Sequence, residues 1–222
     1  DVQLWFALLS DLLPRIAELE NLLDPVEIER AHRFRSPHDR ERFVLGHGAL
    51  RELLGRYVGS EAADLRFARG PYGKPFLEGN PIHFNFSDTK DAILIGVARS
   101  PLGVDVETMA REVDHRAVSE HYFTAEEITA IREAGEGSKR RFLDYWTRKE
   151  AILKASGVGI MEDLRVLRVD AVRNAMTIEH EAFIEHAAPE YRVRTWHVGE
   201  EHCVSLAMSD VPREMSLYSI TR

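Results

Sequence analysis

The sequence predicts an α+β fold made of two similar halves, residues 1–101 and 102–222. Helical and strand-like segments are mixed in both halves, and three short segments of the first half return in the second in the same order. The matched segments are Arg42-Phe43 with Arg141-Phe142, Asp64-Leu65-Arg66 with Asp163-Leu164-Arg165, and the apolar runs Ala92–Ala98 with Cys203–Met208. Each match is short enough to arise by chance, so the interpretation depends on their common order, which puts the boundary near Ser100–Gly103.

In the first half, start signals and apolar runs define the elements. Asp24 before Pro25, and Ser36 before Pro37, are typical helix starts, because a capping side chain and a proline both suit the first turn. The predicted elements are a strand at Val2–Leu9, helices at Leu12–Leu23, Pro25–Phe34 and Ser36 to about Tyr57, a strand at Asp64–Ala68, a turn at Gly70–Pro75, and strands at Ile82–Phe86 and Ala92–Ala98. The last is almost entirely apolar, which indicates a central strand.

The second half begins with a predicted turn at Ser100–Gly103 and a short strand at Gly103–Glu107. Thr124 and Glu127 have the spacing of a capping box that opens a helix. A longer helix follows and ends at Gly157, since glycine is a typical helix stop. The strands predicted after it are Leu164–Val169, Ala175–Glu179, Tyr191–His197 and Val204–Met208.

Composition excludes several classes of protein. The 222 residues carry a net charge of −8, which leaves no excess of lysine and arginine to neutralise a nucleic acid. The single Cys203 excludes an intramolecular disulfide and a multi-cysteine zinc site, and it suits a reducing compartment. No apolar run reaches membrane-spanning length. We therefore expect a cytoplasmic protein that binds neither nucleic acid nor membrane.

Two charged patterns stand out from this background. Glu150 and Lys154 are four residues apart on the predicted helix, and the ordinary interpretation is a surface pair that contributes about 0.3–0.5 kcal/mol. Asp105 and Glu107 point to the same face of the predicted strand. Two such carboxylates repel each other unless a cation lies between them, and oxygen ligands suit Mg²⁺ or Mn²⁺. A third carboxylate from the helix, with a lysine one turn further on, would complete a site for a metal-bound phosphate.

Together these two stretches resemble the paired signatures of the 4′-phosphopantetheinyl transferases. Gly103-Val104-Asp105-Val106-Glu107 matches the first signature, and Trp146-Thr147-Arg148-Lys149-Glu150-Ala151-Ile152-Leu153-Lys154 matches the second, in the family's order and spacing. Tyr72-Gly73-Lys74-Pro75 and Phe84-Asn85-Phe86-Ser87 are similar to two further family motifs. The resemblance covers roughly residues 24–208 and is closest to the longer, pseudo-dimeric class, which activates surfactin synthetase and other secondary-metabolite synthetases. It implies a duplicated fold that is sufficient as a monomer, with the active site in the cleft between the halves.

The resemblance also implies a reaction. The hydroxyl of a serine on an apo acyl or peptidyl carrier protein attacks the β-phosphate of coenzyme A, which transfers 4′-phosphopantetheine and releases 3′,5′-ADP. By the same resemblance Asp105, Glu107 and Glu150 bind Mg²⁺, with Mn²⁺ as the alternative. Lys154 then contacts the pyrophosphate, and Glu150 takes the serine proton directly or through water.

Further positions correspond to coenzyme contacts in the family. Arg42 stands where the family has an arginine near the 3′-phosphate, and Arg30 where relatives have a basic phosphate contact. The adenine pocket is expected to form mostly from the backbone of Tyr72, Gly73, Lys74, Pro75, Asn85 and Ser87. The alternatives are a solvated charge at Arg42 and an ordinary turn and strand at the two motifs.

Two positions depart from the family pattern. Asp88 replaces a histidine that helps to bind the coenzyme's phosphates in many relatives, and Glu27 stands where a basic residue is frequent. Because an acid near a phosphate lowers affinity, these residues put tight coenzyme binding in doubt. They leave two alternatives open: a degenerate relative that binds coenzyme A or a carrier with little turnover, and another Mg²⁺-dependent enzyme acting on a phosphate ester.

A carrier protein could dock at two places. Lys139-Arg140-Arg141 is a basic run in an acidic chain and would suit acidic carriers, although such a run is usually a solvated face. Val113–Phe123 falls where relatives contact the carrier, although core packing explains Val118, Tyr122 and Phe123 equally well.

Overall fold

The computed structural model of the chain describes residues 1–79, 82–159, 164–169, 175–177, 187–188, 190–210, 212 and 214–220. The helices are α1 (Leu9–Leu12), α2 (Ile16–Glu20), α3 (Pro25–Arg33), α4 (Pro37–Val58), α5 (His115–Tyr122), α6 (Ala125–Glu133) and α7 (Ser138–Ser156). The strands are β1 (Val2–Leu8), β2 (Phe67–Arg69), β3 (Pro75–Leu77), β4 (His83–Asp88), β5 (Ala92–Ala98), β6 (Leu102–Thr108), β7 (Ala175–Thr177), β8 (Glu190–Val198), β9 (His202–Met208) and β10 (Met215–Ser219). Among the described residues, no helix is both long and apolar enough to cross a bilayer. The α+β class predicted from the sequence is confirmed.

Two four-stranded sheets share the order of three of their strands, β1-β5-β4 in the first and β6-β9-β8 in the second. The first sheet has the order β10-β1-β5-β4 and the second the order β6-β9-β8-β7. The pairs β1–β5 and β6–β9, and likewise β5–β4 and β9–β8, are antiparallel. β10 extends the first sheet by pairing in parallel with β1, and β2 and β3 form a separate antiparallel ribbon.

The two sheets pack face to face, and one long helix covers the outer face of each. On β5, Leu94 belongs to the core between the sheets, whereas Ile93 and Ile95 belong to the core beneath α4. On β9, Val204 lies between the sheets and Ala207 lies in the core beneath α7. β5 is buried along its whole length, which confirms the central strand predicted from its apolar sequence.

α7 lies directly on β6 because Gly103 has no side chain. A Cβ atom at Gly103 would be 2.0 Å from the carbonyl oxygen of Ala151 and 2.2 Å from the amide nitrogen of Ala155. The helix ends at Gly157, whose φ of 72° is the left-handed conformation that glycine adopts without strain. Gly103 of the first signature and Gly157, three residues after the second, therefore have structural reasons, and the predicted helix stop is confirmed.

The helix starts predicted from capping signals are also confirmed. Asp24 caps α3 and Thr124 caps α6, and in each case the residue three positions on, Glu27 or Glu127, completes a capping box. The predicted helix Leu12–Leu23 is wrong as one element. It is two short helices separated by a 3₁₀ turn at Leu13–Arg15, where Pro14 has no amide hydrogen to continue the helix.

Two predicted strands are wrong. Asp64–Ala68 begins in a 3₁₀ turn at Ala62–Asp64 and reaches strand geometry only in β2, and Leu164–Val169 contains a 3₁₀ turn at Leu164–Val166. In each case backbone carbonyls near the turn accept hydrogen bonds from a buried cation, Arg51 or Lys149, instead of from a neighbouring strand. β3 and β10 were not predicted. The predicted strand Ala175–Glu179 is described only at β7, and its last two residues lie outside the described residues.

Candidate active site

β6 presents two carboxylates to α7. Val104 and Val106 of this strand point into the core between the sheets, so the alternate residues Asp105 and Glu107 point to the opposite face. α7 crosses that face and brings its Lys154 ammonium to 2.6 Å from a carboxylate oxygen of Asp105. The structure therefore brings the two signatures together through their charged side chains.

Asp105 is the most deeply buried of the acids at this place, with 4% of its surface exposed. Its Oδ1 accepts hydrogen bonds from Lys154 Nζ at 2.6 Å and from Ser87 Oγ at 2.7 Å. Its Oδ2 is buried and has no hydrogen-bond partner among the described residues. A buried carboxylate oxygen without a partner is costly, so a ligand for it is expected.

The neighbouring carboxylates are electrostatically crowded. Burial, followed by the charge of Asp105, raises the pKa of Glu107 to about 7 and outweighs the opposing effect of Arg111. Burial and then Asp105 also raise the pKa of Glu150. Arg111 forms an ion pair with Glu107 and lies over the ring of Trp146, 5.2 Å from its centre. Sequence reasoning gave Arg111 no role, and no motif marked it.

The donor set suits a hard divalent cation, because all three predicted ligands offer carboxylate oxygens. In the described part of the chain, Asp105 Oδ2 has no hydrogen-bond partner that would compete with such a cation. A cation at this place would also offset the two causes that raise the pKa of Glu107 and Glu150, which are burial and then the charge of Asp105. The ligand atoms of the three described carboxylates do not all lie within 4.8 Å of one another. Among the described residues, the trio with all ligand atoms within 4.8 Å of one another is Asp144, His197 and Cys203. The metal-binding roles of Asp105, Glu107 and Glu150 therefore stay a prediction.

β4 supports the carboxylate strand with its side chains. Two backbone amides of β6 donate hydrogen bonds to side chains of β4. The amide of Val104 donates to Asn85 Oδ1 at 2.7 Å, and the amide of Val106 donates to Ser87 Oγ at 3.3 Å. Asn85 and Ser87 are almost fully buried. Their side chains therefore hold β6 against β4, a role that the sequence did not reveal.

A cleft of about 370 Å³ opens beside this carboxylate cluster. It is lined from the first half by Tyr72, Gly73, Lys74, Pro75, Asn85 and Phe86, and from the second by Glu150, Leu153, Lys154, Gly157 and Gly159. Lys74 fastens the turn to the second half, because its Nζ donates to the carbonyl of Leu102 at 2.9 Å and of Ala155 at 3.1 Å. Burial lowers the pKa of Lys74 to about 8.

The other predicted coenzyme contacts lie outside the residues that line this cleft. Arg42 forms ion pairs with Asp88 at 3.0 Å and with Asp39 at 3.3 Å, so its charge is already balanced within the chain. Arg30 is exposed, with its guanidinium 5.0 Å from the centre of the Phe43 ring. The structure thus pairs Asp88, which replaces the family's histidine, with the arginine predicted to bind a phosphate.

Glu27 is part of an internal network. Its carboxylate contacts Arg51 at 2.5 Å and His47 at 3.1 Å. Burial would raise the pKa of Glu27, but hydrogen bonds from His47 and from the backbone of Asp24, with the charge of Arg51, lower it. The charge of the Glu27 carboxylate is therefore balanced by Arg51 within the chain. The position of Glu27 in the sequence is not enough to show that it repels a bound phosphate.

The residues predicted to dock a carrier protein, in the basic run Lys139-Arg140-Arg141 and in α5 with Phe123, partly make contacts within the chain. Lys139 and Arg140 each donate to a backbone carbonyl, and Arg141 lies over Tyr145 at 5.8 Å. Phe123 is buried in the core beneath α7. Tyr122 is exposed and contacts the ring of Trp146 edge-on, with the ring centres 5.9 Å apart.

Lys149 is a further residue that sequence reasoning missed, although it lies inside the second signature. Its side chain is fully buried, and its Nζ lies 2.9 Å from Glu127, 2.9 Å from the carbonyl of Leu164 and 2.7 Å from that of Leu167. It fixes α7 to α6 and to the segment that follows α7. The sequence predicted that Glu127 belongs to a capping box, but it did not reveal that Lys149 pairs with this glutamate.

Known proteins similar to this chain match it over the residues that form the site. Residues 101–207, which include both signatures, match the family described as the 4′-phosphopantetheinyl transferase superfamily. The 4′-phosphopantetheinyl transferase HetI of Nostoc sp. PCC 7120 is 32% identical over 174 residues, which cover 75% of this chain and 73% of that protein. A phosphopantetheinyl transferase of Thraustochytrium sp. is 29% identical over 86% of this chain and 72% of its own. The 4′-phosphopantetheinyl transferase Sfp of Bacillus subtilis is 23% identical over 90% of this chain and 88% of its own.

Proposed function

Because this chain belongs to the 4′-phosphopantetheinyl transferase superfamily, we propose that it transfers the 4′-phosphopantetheine group of coenzyme A to a serine of an apo carrier protein. The proposal includes release of 3′,5′-ADP and dependence on Mg²⁺ or Mn²⁺ held by Asp105, Glu107 and Glu150. One observation carries it: the buried and unpartnered Oδ2 of Asp105 lies in a cluster with Lys154, beside a cleft lined by both predicted halves.

The residues of the chain have separate tasks in this reaction. Lys154 supplies a positive charge that faces the pyrophosphate as the serine oxygen bonds to phosphorus and the bond to 3′,5′-ADP breaks. Glu150 accepts the serine proton directly or through water. A divalent cation, when bound, supplies further positive charge to the pyrophosphate.

The same proposal assigns the coenzyme to the cleft. The turn Tyr72–Pro75 and the backbone of Asn85–Ser87 form the adenine pocket, and Arg42, with Arg30, is offered to the phosphates. Asp88 competes with a phosphate for Arg42, because it already pairs with this guanidinium at 3.0 Å. This pair is the observation that favours the second candidate, a relative that binds coenzyme A or a carrier with little turnover.

The finer organisation is also proposed. Residues 1–101 and 102–222 are two copies of one α/β unit, and the duplication makes a monomer sufficient. The order shared by three strands of each sheet, β1-β5-β4 and β6-β9-β8, supports this. An acidic acyl or peptidyl carrier protein of secondary metabolism docks beside the exposed Tyr122 and the run Lys139-Arg140-Arg141. A cytoplasmic location is proposed from the single Cys203.

Mass spectrometry of carrier proteins tests the function. The purified protein is incubated with coenzyme A, Mg²⁺ and several apo carriers, and the expected result is a gain of one phosphopantetheine group on a carrier serine. Asp105→Ala should abolish the gain while its circular dichroism spectrum stays that of the wild type. Coenzyme binding without a mass gain would support the second candidate. Cleavage of coenzyme A without any carrier would instead indicate another phosphate-ester enzyme, and activity in excess chelator would overturn the metal assignment.

A further inference from the structure

A second cluster of possible metal ligands lies at the other end of α7 from Lys154. Asp144 of α7, His197 of β8 and Cys203 of β9 each offer one ligand atom, and these atoms all lie within 4.8 Å of one another. His197 Nε2 is 2.8 Å from Asp144 Oδ1. The proposed phosphopantetheine transfer uses none of the three.

Rigid elements hold this cluster. His197 and Cys203 are directly opposite each other in the β8–β9 pairing, so their side chains lie on the same face of the sheet. That face is covered by α7, which contributes Asp144. Ligands on two paired strands and a packed helix keep their relative positions better than ligands on loops.

The three donors differ in kind from the carboxylates of the first cluster. A thiolate, an imidazole and a carboxylate together suit Zn²⁺ or Co²⁺, whereas an all-oxygen set suits Mg²⁺. Three protein ligands leave one tetrahedral position for water. Cys203 is fully buried at the base, while 37% of the His197 side chain is exposed and provides the route of entry.

The position of this cluster is close to the first one without overlapping it. Cys203 faces Glu107 across the β6–β9 pairing, so the two clusters occupy neighbouring strands of one sheet. They also share α7, which carries Asp144 near its start and Glu150 and Lys154 near its end. A cation at the second cluster would fasten the start of this helix to β8 and β9.

We propose that Asp144, His197 and Cys203 form a second metal site, which takes a thiophilic divalent cation such as Zn²⁺ or Co²⁺. The Cys203 thiol releases its proton to solvent as its sulfur binds the cation, and the cation keeps its oxidation state. The ligand atoms, which lie within 4.8 Å of one another, move slightly closer when the cation binds. Zinc–ligand distances of about 2.0–2.3 Å bring tetrahedral ligands within about 4 Å of one another.

Cobalt spectroscopy of the metal-free protein tests the site, since thiolate-bound Co²⁺ absorbs in the near ultraviolet and tetrahedral Co²⁺ has strong visible bands. We expect one equivalent of Co²⁺ to give both features and Zn²⁺ to displace it. Cys203→Ser should remove the thiolate band, and His197→Ala should weaken binding at least about tenfold. Because His197 is exposed at the rim, the His197→Ala protein should fold even if substitution of the buried Cys203 does not.

Two control variants locate the cation. His32→Ala removes an exposed histidine of α3, and Asp105→Asn removes a predicted ligand of the first cluster; both should keep the thiolate band. Absence of the band at millimolar Co²⁺ would show that the trio does not bind the cation and would overturn the proposal. Its loss in Asp105→Asn, or its persistence in Cys203→Ser, would overturn it equally. None of these readouts depends on transferase activity.

Discussion

Replacement of Lys149 by methionine should severely destabilise the protein. Methionine has a similar length but no charge, so the change removes the ammonium and leaves most of the packing. In the wild type this group lies 2.9 Å from the Glu127 carboxylate and donates to two backbone carbonyls, and the Lys149 side chain has no exposed surface. Glu127 is 5% exposed, so water cannot solvate its carboxylate once the ammonium is removed.

The magnitude follows from what remains buried. Removal of one partner of a buried ion pair costs about 3–5 kcal/mol, because the other charge is left uncompensated. Two carbonyls also lose their donor, but Glu127 keeps hydrogen bonds from the amides of Thr124 at 2.9 Å and Val169 at 2.6 Å. These two effects oppose each other, so a loss of about 3–5 kcal/mol is expected, a large part of the 5–15 kcal/mol typical of a whole domain.

Urea unfolding followed by tryptophan fluorescence measures the loss. The matched control is Lys139→Met on the same helix, whose ammonium is partly exposed and donates to one carbonyl, and which should cost no more than about 1 kcal/mol. In the double variant Lys149→Met/Glu127→Gln, the second change removes the buried negative charge that has lost its partner. This should restore at least about 1 kcal/mol of the free energy of unfolding. A cost below about 1.5 kcal/mol for Lys149→Met, or no recovery in the double variant, would refute the reasoning.

Three further predictions concern the cleft and its margins. Asp88→His should tighten coenzyme A binding in calorimetric titration, because it removes the carboxylate 3.0 Å from Arg42 and frees that guanidinium for a phosphate; an unchanged affinity would contradict this. In steady-state kinetics, Glu150→Gln should lower turnover at least about a hundredfold, whereas Lys154→Ala should impair both coenzyme binding and turnover. Near-normal kinetics for both variants would contradict the proposed roles of Glu150 and Lys154. Finally, burial lowers the pKa of Lys74 to about 8 from 10.5, so between these pH values the unfolded chain binds more protons and the free energy of unfolding rises with pH. Lys74→Met should remove this rise in urea titrations, and an identical pH dependence in both proteins would refute the assignment.

The parts of the site that the sequence predicted are those set by local spacing. Alternation along β6 put Asp105 and Glu107 on one face, and helical spacing put Glu150 and Lys154 on one stripe of α7, and both patterns hold in the structure. Gly157 ends the helix as predicted. Local spacing was sufficient here because each pattern lies within a single regular element.

Contacts between distant segments could not be predicted in this way. Lys154 bonds to Asp105 and Ser87, 49 and 67 residues away, instead of to the neighbouring Glu150. The predicted strand at Leu164–Val169 failed for the same reason, because the carbonyls of Leu164 and Leu167 bond to Lys149 on α7. Apolar spacing indicates burial at such a segment, but it does not reveal which partner satisfies the backbone.

The proposed duplication provides an internal comparison for the site. In the first half, the fully buried Arg51 of α4 contacts the capping-box residue Glu27 and donates to the carbonyls of Ala62 and Leu65. Lys149 of α7 makes the same set of contacts with Glu127 and the carbonyls of Leu164 and Leu167. Two halves that anchor their long helices in the same way support descent from one unit.

The residues that follow these anchors show what distinguishes the second half. Glu52 comes after Arg51 as Glu150 comes after Lys149, and each is followed four residues later by a cation, Arg56 or Lys154. In the first half Glu52 pairs with Arg56 at 2.9 Å, and also with Arg15, which is the ordinary pair expected on a helix surface. β1, the strand whose place in the first sheet corresponds to that of β6 in the second, has no carboxylate, because its sequence is Val-Gln-Leu-Trp-Phe-Ala-Leu.

Beneath α7 the corresponding strand offers Asp105, and Lys154 bonds to this residue at 2.6 Å. Glu150 consequently loses the pairing that Glu52 keeps, and burial with the charge of Asp105 raises its pKa. The helical Glu–x–x–x–cation pattern is therefore common to both halves and does not by itself make a site. In the second half, Asp105 of β6 takes the cation of that pattern as its own partner and leaves Glu150 for its proposed role as the base. Gly103 lets the helix approach β6 closely enough for this exchange.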